Sequence, residues 1–301
     1  MKNKSILVIG SINVDHCMHV KALPKPGETV SGSEYNIVGG GKGANQALAC
    51  ARLGGQTTLI ANIGTDDFGS TMVNNFTKDG IDTAFIKVIN GEKTGVAMIF
   101  VDDGAENSIG IIAGANNTLS PEQVRFHENI ISQSDFVLMQ LEIPLETVIE
   151  ASIIAHKHQT QVVLNPAPAR YLPDSLLQYI DIITPNQTET EILTGVKVHD
   201  NKTAKVAAQI LHDKGIDTVL ITMGKKGAYL STKELKSCIS AIKVNAIDTT
   251  AAGDVFNGAF LVGLSNGMEV IDAVHFANKC AAVSVTRAGA QTSIPYIDEI
   301  M

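Results

Sequence analysis

The sequence predicts an α/β protein: a doubly wound, parallel β-sheet from which a small second β-sheet projects. Two observations predict it. Short apolar runs of strand length alternate with longer segments of helical spacing along most of the 301 residues, the pattern of parallel strands joined by crossover helices. Two polar stretches, Val14–Val38 and Thr94–Ala113, interrupt that alternation and carry no helical spacing.

In chain order, Ile6–Ile9 is a continuous apolar run closed by Gly10 and reads as a strand buried on both faces. Val14–Val38 holds Pro24 and Pro26 and shows weak period-two alternation. Ala44–Leu53 has helical spacing and stops at Gly54-Gly55, as helix C-termini do. Thr58–Ile63 is a strand, and Phe68–Lys78 a helix closed by Asp79-Gly80. Thr94–Ala113 reads as a hairpin, with Val96–Val101 and Asn107–Ile112 flanking the turn signal Asp102-Asp103-Gly104. Then come strand Phe136–Met139, helix Leu145–His158, strands Gln161–Leu164 and Ile180–Thr184, helix Thr203–Lys214 and strand Thr218–Thr222. Helices Gly253–Leu264 and Val270–Thr286 follow, and no terminal helix longer than a turn is expected before Met301. The two interrupting stretches are expected to pair as a lid over the strand ends. No repeat or linker divides the chain, so residues 1–301 are expected to form one domain with lid segments at about 14–38 and 94–113.

Composition excludes several classes. Apolar residues at 45% and charged ones at 18% describe a globular chain, not a disordered one. The net charge of −8 argues against nucleic acid as a partner. No apolar run approaches the ~18 residues of a membrane-spanning helix. The basic start precedes too short an apolar run for a signal peptide. Cys17, Cys50, Cys238 and Cys280 form no CxxC pair, which fits a reducing compartment rather than zinc or disulfides. A soluble, cytoplasmic protein is expected, with no nucleic-acid or membrane partner. HExxH, HxxxH and GxSxG are absent, so zinc hydrolysis and serine-esterase chemistry have no support.

Four segments could carry chemistry. Gly39-Gly-Gly-Lys-Gly-Ala-Asn-Gln46 precedes a helix, and its glycines either cradle a polar ligand or permit close helix–sheet packing. It lacks the GxGxxG spacing and lies about 30 residues after the first strand, so it is no dinucleotide fingerprint; without Ser or Thr after Lys42 it is no Walker A loop. Asp248-Thr-Thr-Ala-Ala-Gly-Asp254 leads small residues into a helix, whose free N–H groups from Ala251 to Asp254 favour an anion. Asp254 there is either a helix-stabilising acid or a proton acceptor retained beside an anion site. Thr184-Pro-Asn186-Gln-Thr-Glu189 reads as a capping box, or places Glu189 near Mg²⁺. Thr222-Met-Gly-Lys-Lys-Gly227 at a strand end is an ordinary turn or a phosphate clamp.

Together these segments resemble the PfkB carbohydrate-kinase family. Gly39–Gly64 is similar to its N-terminal signature and Asp248–Gly263 to its C-terminal one. The likeness covers nearly the whole chain, through Gly10–Asp15, Ala113–Asn116, Met139–Glu142, Asn165–Arg170 and Arg287–Gln291. Met139-Gln-Leu-Glu142 and Asn165-Pro-Ala-Pro-Ala-Arg170 resemble the branch that phosphorylates ribose. The resemblance implies the ribokinase-like fold, three α/β/α layers around a mostly parallel sheet with a small projecting β-sheet lid. It also implies ATP-dependent phosphorylation of D-ribose at O5. Asn13, Val14, Asp15, Gly41, Lys42, Gly43, Ala44, Asn45 and Glu142 would then hold the sugar. Asp254 would be the base, with the N–H groups of Ala251, Ala252 and Gly253 as anion hole. Asn186, Thr222, Met223, Gly224, Lys225, Lys226, Gly227, Gly253 and Asn278 would contact ATP, and Glu189 would act on Mg²⁺ through water. A potassium-like ion is implied at Asp248 and Thr250 on one side and Ser284, Arg287, Gly289 and Ser293 on the other, and a homodimer through the lid. Asn278 and Thr250 fall where the family varies.

Other readings are a sister kinase acting on 2-deoxyribose, another sugar or a nucleoside, and a non-catalytic sugar-binding regulator. The chain has no Trp and the lid lacks large aromatics to stack a base, which disfavours a nucleoside. Intact Asp254 and its anion-hole sequence disfavour a regulator.

Overall fold

The computed structural model describes residues 4–104 and 106–300, so the basic start at residues 1–3 lies outside them. Strand β1 (Ser5–Ile9) is followed by β2 (Asn13–Val20), β3 (Gly32–Gly40), helix α1 (Lys42–Arg52), β4 (Gln56–Ile63), α2 (Asp67–Lys78) and β5 (Ile86–Val88). Next come β6 (Gly95–Asp102), β7 (Asn107–Ile112), α3 (Pro121–Phe126), α4 (Glu128–Gln133), β8 (Phe136–Met139), α5 (Leu145–Lys157), β9 (Gln161–Leu164) and α6 (Asp174–Leu177). The chain continues through β10 (Ile182–Ile183), α7 (Gln187–Thr194), α8 (Asn201–His212), β11 (Thr218–Thr222), β12 (Ala228–Ser231), β13 (Lys236–Ile239), α9 (Ala252–Ser265) and α10 (Val270–Ser284). A single 3₁₀ turn, Ile297–Glu299, follows.

The main sheet has nine strands in the order β13-β12-β11-β10-β9-β8-β1-β4-β5. From β11 to β5 every pairing is parallel, while β12 and β13 add an antiparallel edge. Its strands alternate between two cores. Ile6 and Val8 of β1 pack with α1, α2, α9 and α10, and Leu7 and Ile9 pack with α3, α5, α6 and α8 on the opposite face. A strand buried on both sides has no room for polar alternation, which is why this one reads as an unbroken apolar run. The three layers follow.

A second sheet, β3-β2-β6-β7, contains both segments that lack helical spacing. The expected hairpin is the β6–β7 pair, with Val96 opposite Ile112. Register places Asp15, Ala97 and Ile111 on one face and Ile37, His16 and Met98 on the other.

Several boundaries differ from the sequence reading. The helix expected from Ala44 starts at Lys42, because the Glu142 carboxylate on a distant loop accepts the Lys42 N–H at 2.9 Å and caps it. Helix α8 starts at Asn201 instead of Thr203, since Asp200 is the N-cap and accepts the Thr203 N–H at 2.8 Å. The strand expected over Ile180–Thr184 shrinks to two residues, as the Ile180 N–H closes a turn onto the Leu177 carbonyl. Helix α10 ends at Ser284, two residues before Thr286, and the strands β5, β12 and β13 were not anticipated.

Candidate active site

The polar segments converge where the parallel strands end, the place at which open α/β sheets bind ligands. Gly10 and Ser11 follow β1, Gln140 to Glu142 follow β8, Asn165 follows β9, Thr184 to Asn186 follow β10 and Met223 to Gly227 follow β11.

The glycine segment is a tight packing joint. Gly41 has φ 89°, and a Cβ there would stand 2.6 Å from the Asn13 backbone nitrogen. A Cβ on Gly40 would overlap the Asp15 carboxylate. These glycines let α1 press against β2, so that Asn13, Asp15, Lys42 and Asn45 surround one pocket. Glu142 Oε2 accepts hydrogen bonds from Ser11 Oγ at 2.6 Å and the Lys42 N–H at 2.9 Å. Asn13 Oδ1 accepts from Asn116 Nδ2 at 2.7 Å, a partner the sequence reading placed in a motif without giving it a role. Asp15 Oδ1 and Asn45 Oδ1 are buried without partners among the described residues. Orphaned acceptors of this kind call for hydrogen-bond donors, which the hydroxyls of a ligand can supply.

The pocket is crowded with charge. Burial, reinforced by Glu142 and Asp254, pushes Asp15 from 3.8 up to about 7, with Lys42 opposing. Burial pulls Lys42 down, but Asp254, Glu142, Glu189 and Asp15 together hold its ammonium above the usual range.

Asp254 lies in the first turn of α9 and is buried. Asn45 Nδ2 donates to its Oδ2 at 2.9 Å, and Gln46 Nε2 to its Oδ1 at 2.9 Å. Burial raises its pKa, while Lys42, Asn45 and Gln46 oppose the rise. Ala251 begins the turn at φ 59°, a left-handed conformation uncommon for a side-chain-bearing residue. Of the four N–H groups expected to converge there, that of Ala252 donates to the Thr249 carbonyl at 3.2 Å. Those of Ala251, Gly253 and Asp254 have no backbone acceptor among the described residues.

Beside this turn opens a cleft of about 530 Å³, lined by Thr222, Gly224, Lys225, Gly227, Gly253 and Asn278. Its apolar walls, Ala241, Ile242, Val244, Phe256, Ala281 and Val285, were not read from the sequence. They come from the irregular segment after β13, from α9 and from the end of α10, and apolar side chains there carry no local signature of a ligand site. Three expected members, Asn186, Met223 and Lys226, do not line the cleft. Met223 packs in the core, and Lys226 Nζ donates to the His199 carbonyl at 2.7 Å. Asn186 and Glu189 form the capping box: Glu189 Oε2 accepts the Asn186 N–H and Oε1 its Nδ2, both at 2.8 Å. Burial raises Glu189, against the Asn186 bond and Lys42.

Asp248 Oδ1 accepts from the Thr250 N–H at 2.8 Å and hydroxyl at 2.6 Å, and Oδ2 accepts the Gly289 N–H at 2.8 Å. Burial would raise this carboxyl, but these bonds outweigh it and hold it below the ordinary range. The two segments expected to flank a cation are therefore tied together. Ser284 and Ser293, both buried, share a hydrogen bond at 2.9 Å, and Arg287 pairs with Glu299, leaving Arg287 only its carbonyl to offer inward. This is an oxygen-only donor set with one ionised carboxylate, which suits a hard cation. Among the described residues no three of His, Cys, Asp and Glu gather as a metal cage. Glu189 is thus a single carboxylate that suits a magnesium ion held mainly by phosphate and water.

No helix among the described residues is long and apolar enough to cross a membrane. All four cysteines are free.

The model of the pfkB family carbohydrate kinases matches residues 3–297. A ribokinase from Haemophilus influenzae is 52% identical over 99% of this chain and 97% of its own length. A deoxyribokinase from Salmonella typhi is 40% identical over 98% of this chain and 96% of its own. The structure of Arabidopsis thaliana ribokinase complexed with ribose and ATP superposes with a TM-score of 0.93 at 31% identity, over 99% of this chain and 97% of that one.

Proposed function

The chain belongs to the pfkB family of carbohydrate kinases, and from that premise we propose that its site transfers the γ-phosphoryl group of ATP to O5 of D-ribose. It is an enzyme that phosphorylates ribose with ATP, in keeping with its ribokinase relatives. One observation carries the reading: Asp254 stands where the two halves meet. Its carboxylate is held by Asn45 of the hydroxyl-seeking pocket, and its neighbour Gly253 lines the cleft.

Phosphoryl transfer needs in-line positioning and charge neutralisation more than covalent help. Asp15 and Asn45 accept hydroxyls of the sugar through their orphaned oxygens, and a site built this way rejects an analogue lacking one of those hydroxyls. Asp254 orients the attacking hydroxyl and takes its proton late, as the new O–P bond forms, because a carboxylate is a weak base toward an alcohol. The free N–H groups of Ala251, Gly253 and Asp254 face the charge that develops on the moving phosphoryl group. Lys42, held protonated by four carboxylates, adds a positive charge nearby. The cleft takes the nucleotide, Thr222, Gly224, Lys225 and Gly227 toward the phosphates and the apolar walls toward the base.

Magnesium bound with ATP would supply phosphate charge neutralisation, with Glu189 holding its water shell. Asp248, Thr250, Ser284, Arg287, Gly289 and Ser293 would hold a potassium-like ion, ordering the loop that precedes Asp254. The lid excludes water from the transfer, limiting wasteful hydrolysis. Its outer face exposes Tyr35, Ile37, Met98 and Ile112, an apolar surface suited to a second copy in a homodimer. The free cysteines and the use of ATP fit a cytoplasmic enzyme.

A second reading, transfer to 2-deoxyribose, draws on the likeness to a deoxyribokinase. Phosphorus–proton correlated NMR of the product with each sugar tests the proposal. Phosphate coupled to the C5 protons of ribose supports it, and coupling at another carbon, or turnover only of the deoxy sugar, overturns it.

A further inference from the structure

Resting on the function proposed above, we propose that Gln46, which the substrate does not reach, is a positioning residue that aims the Asp254 carboxylate and keeps it a proton acceptor through a hydrogen bond of enforced polarity. Gln46 is fully buried. Its Nε2 donates to Asp254 Oδ1 at 2.9 Å and to Asn165 Oδ1 at 3.0 Å, and its Oε1 accepts from Gln140 Nε2 at 2.5 Å.

An amide can usually be turned over without visible consequence, but this one cannot. The chain of bonds is anchored at the Thr184 carbonyl, which can only accept. Asn165 must therefore present its NH₂ to Thr184, as it does at 3.1 Å, and its oxygen to Gln46. Gln46 must answer with its own NH₂, which also faces Asp254, and its oxygen is left for Gln140. A backbone carbonyl at the end of β10 thus dictates that a donor meets the Asp254 oxygen. A donor there favours the ionised carboxylate, and the bond fixes the plane of the group. Asn45 on the other oxygen faces the pocket and is available to substrate; Gln46 is not, so its contribution is constant through the reaction.

The other groups facing Asp254 are Lys42 on α1, Asp15 on β2, Glu142 after β8 and Glu189 on α7. Lys42 favours the ionised form and the three carboxylates oppose it. Gln46 and Asn45 thus carry the balance together with Lys42, in a site where three carboxylates push the other way. The segment Asn165-Pro-Ala-Pro-Ala-Arg170 acquires a role by the same geometry: its first residue transmits the polarity.

The experiment measures kcat and KM for ribose against pH in the wild type, Gln46→Met and Gln140→Leu, with thermal unfolding as a folding control. Gln46→Met is expected to lower kcat at neutral pH by about tenfold or more and move the acid limb of kcat up by about one pH unit, with the ribose KM changed less than about threefold. Gln140→Leu, one step farther from Asp254, is expected to move the limb in the same direction by less, and it carries the test if Gln46→Met does not fold. An unmoved acid limb in a folded variant, whether kcat falls or not, overturns the proposal, because lost packing alone would not change the proton affinity of Asp254. Where the wild type turns over another sugar and not ribose, the proposed substrate falls, and the limb is read on that sugar with the same criterion for Gln46.

Discussion

Asn45 donates a hydrogen bond from Nδ2 to Oδ2 of Asp254 at 2.9 Å, although 209 positions separate them along the chain. Asn45 is in the first turns of α1 and Asp254 in the first turn of α9, so the two helix N-termini meet over one pocket. The proposed sugar contact and the proposed proton acceptor are thereby coupled through a single side chain.

Replacing Asp254 by alanine is expected to lower kcat by about two to four orders of magnitude, while ribose still binds through Asp15, Asn45 and Lys42. Steady-state turnover and calorimetric titration with ribose check both halves. Near-normal turnover in the folded variant would remove Asp254 from the mechanism.

With the proposed ribose contact, Asp15 is expected to make binding pH-dependent, and the sign follows from its raised pKa of about 7 in the free protein. A sugar hydroxyl donated to Asp15 favours the ionised form, so binding is expected to release a proton and to weaken by up to about tenfold per pH unit below 7. Titration calorimetry in buffers of different ionisation enthalpy would show proton release near pH 6.5. Proton uptake would contradict it.

The same shift makes Asp15 a liability for stability. A carboxyl whose folded pKa is raised favours the folded state below the unfolded value and loses that contribution as pH rises through about 7. Asp15→Asn is therefore expected to raise the unfolding midpoint of the ligand-free protein at pH 8 by a few degrees while weakening ribose binding. A lowered midpoint at pH 8 would refute the account of this charge.

How much of this was legible in the sequence depended on how local the signal was. Ile6–Ile9 gave away its doubly buried strand because the whole cause lies in consecutive residues. Asn186 and Glu189 declared their capping box for the same reason, and the box is there at 2.8 Å. The role of Gln46, the last residue of the glycine segment, was invisible. Nothing near it in sequence marks that its partners are Asp254, Asn165 and Gln140, each from a different element. Lys225 and Lys226 look equivalent in sequence, yet only Lys225 lines the cleft, because the turn after β11 sends Lys226 to the His199 carbonyl. The early start of α1 was likewise hidden, since its cap is a carboxylate from the far loop of Glu142.

Arg52 holds the C-terminal segment against α1. It makes two bonds to Asp79 at 3.1 Å, donates to the Gln291 and Ile294 carbonyls at 2.7 and 3.1 Å, and stacks over the Tyr296 ring at 4.7 Å. Arg52→Met would leave two carbonyls and Asp79 short of donors, at a cost of about 2–4 kcal/mol. The midpoint should fall, and because Ala290 to Ser293 are released, the potassium concentration for half-maximal activity should rise. Unchanged potassium dependence would separate this segment from the proposed cation site.

Met98 stands 47% exposed on the face of the second sheet opposite Asp15, across the strand pairs from Ile37. A carboxylate at its position would oppose burial of that face against a second copy. Met98→Asp is expected to shift sedimentation at micromolar concentration from dimer toward monomer. A wild type that sediments as a monomer would refute the proposed dimer.

The central claim is that Asp254 joins a ribose pocket to an ATP cleft. Its most direct test is ADP release with Mg-ATP in the presence of ribose, 2-deoxyribose, fructose or adenosine, with and without potassium, for the wild type and Asp254→Ala. The account predicts preference for ribose, stimulation by potassium and loss of turnover in the variant. Turnover that prefers another acceptor, or that survives in Asp254→Ala, would contradict it.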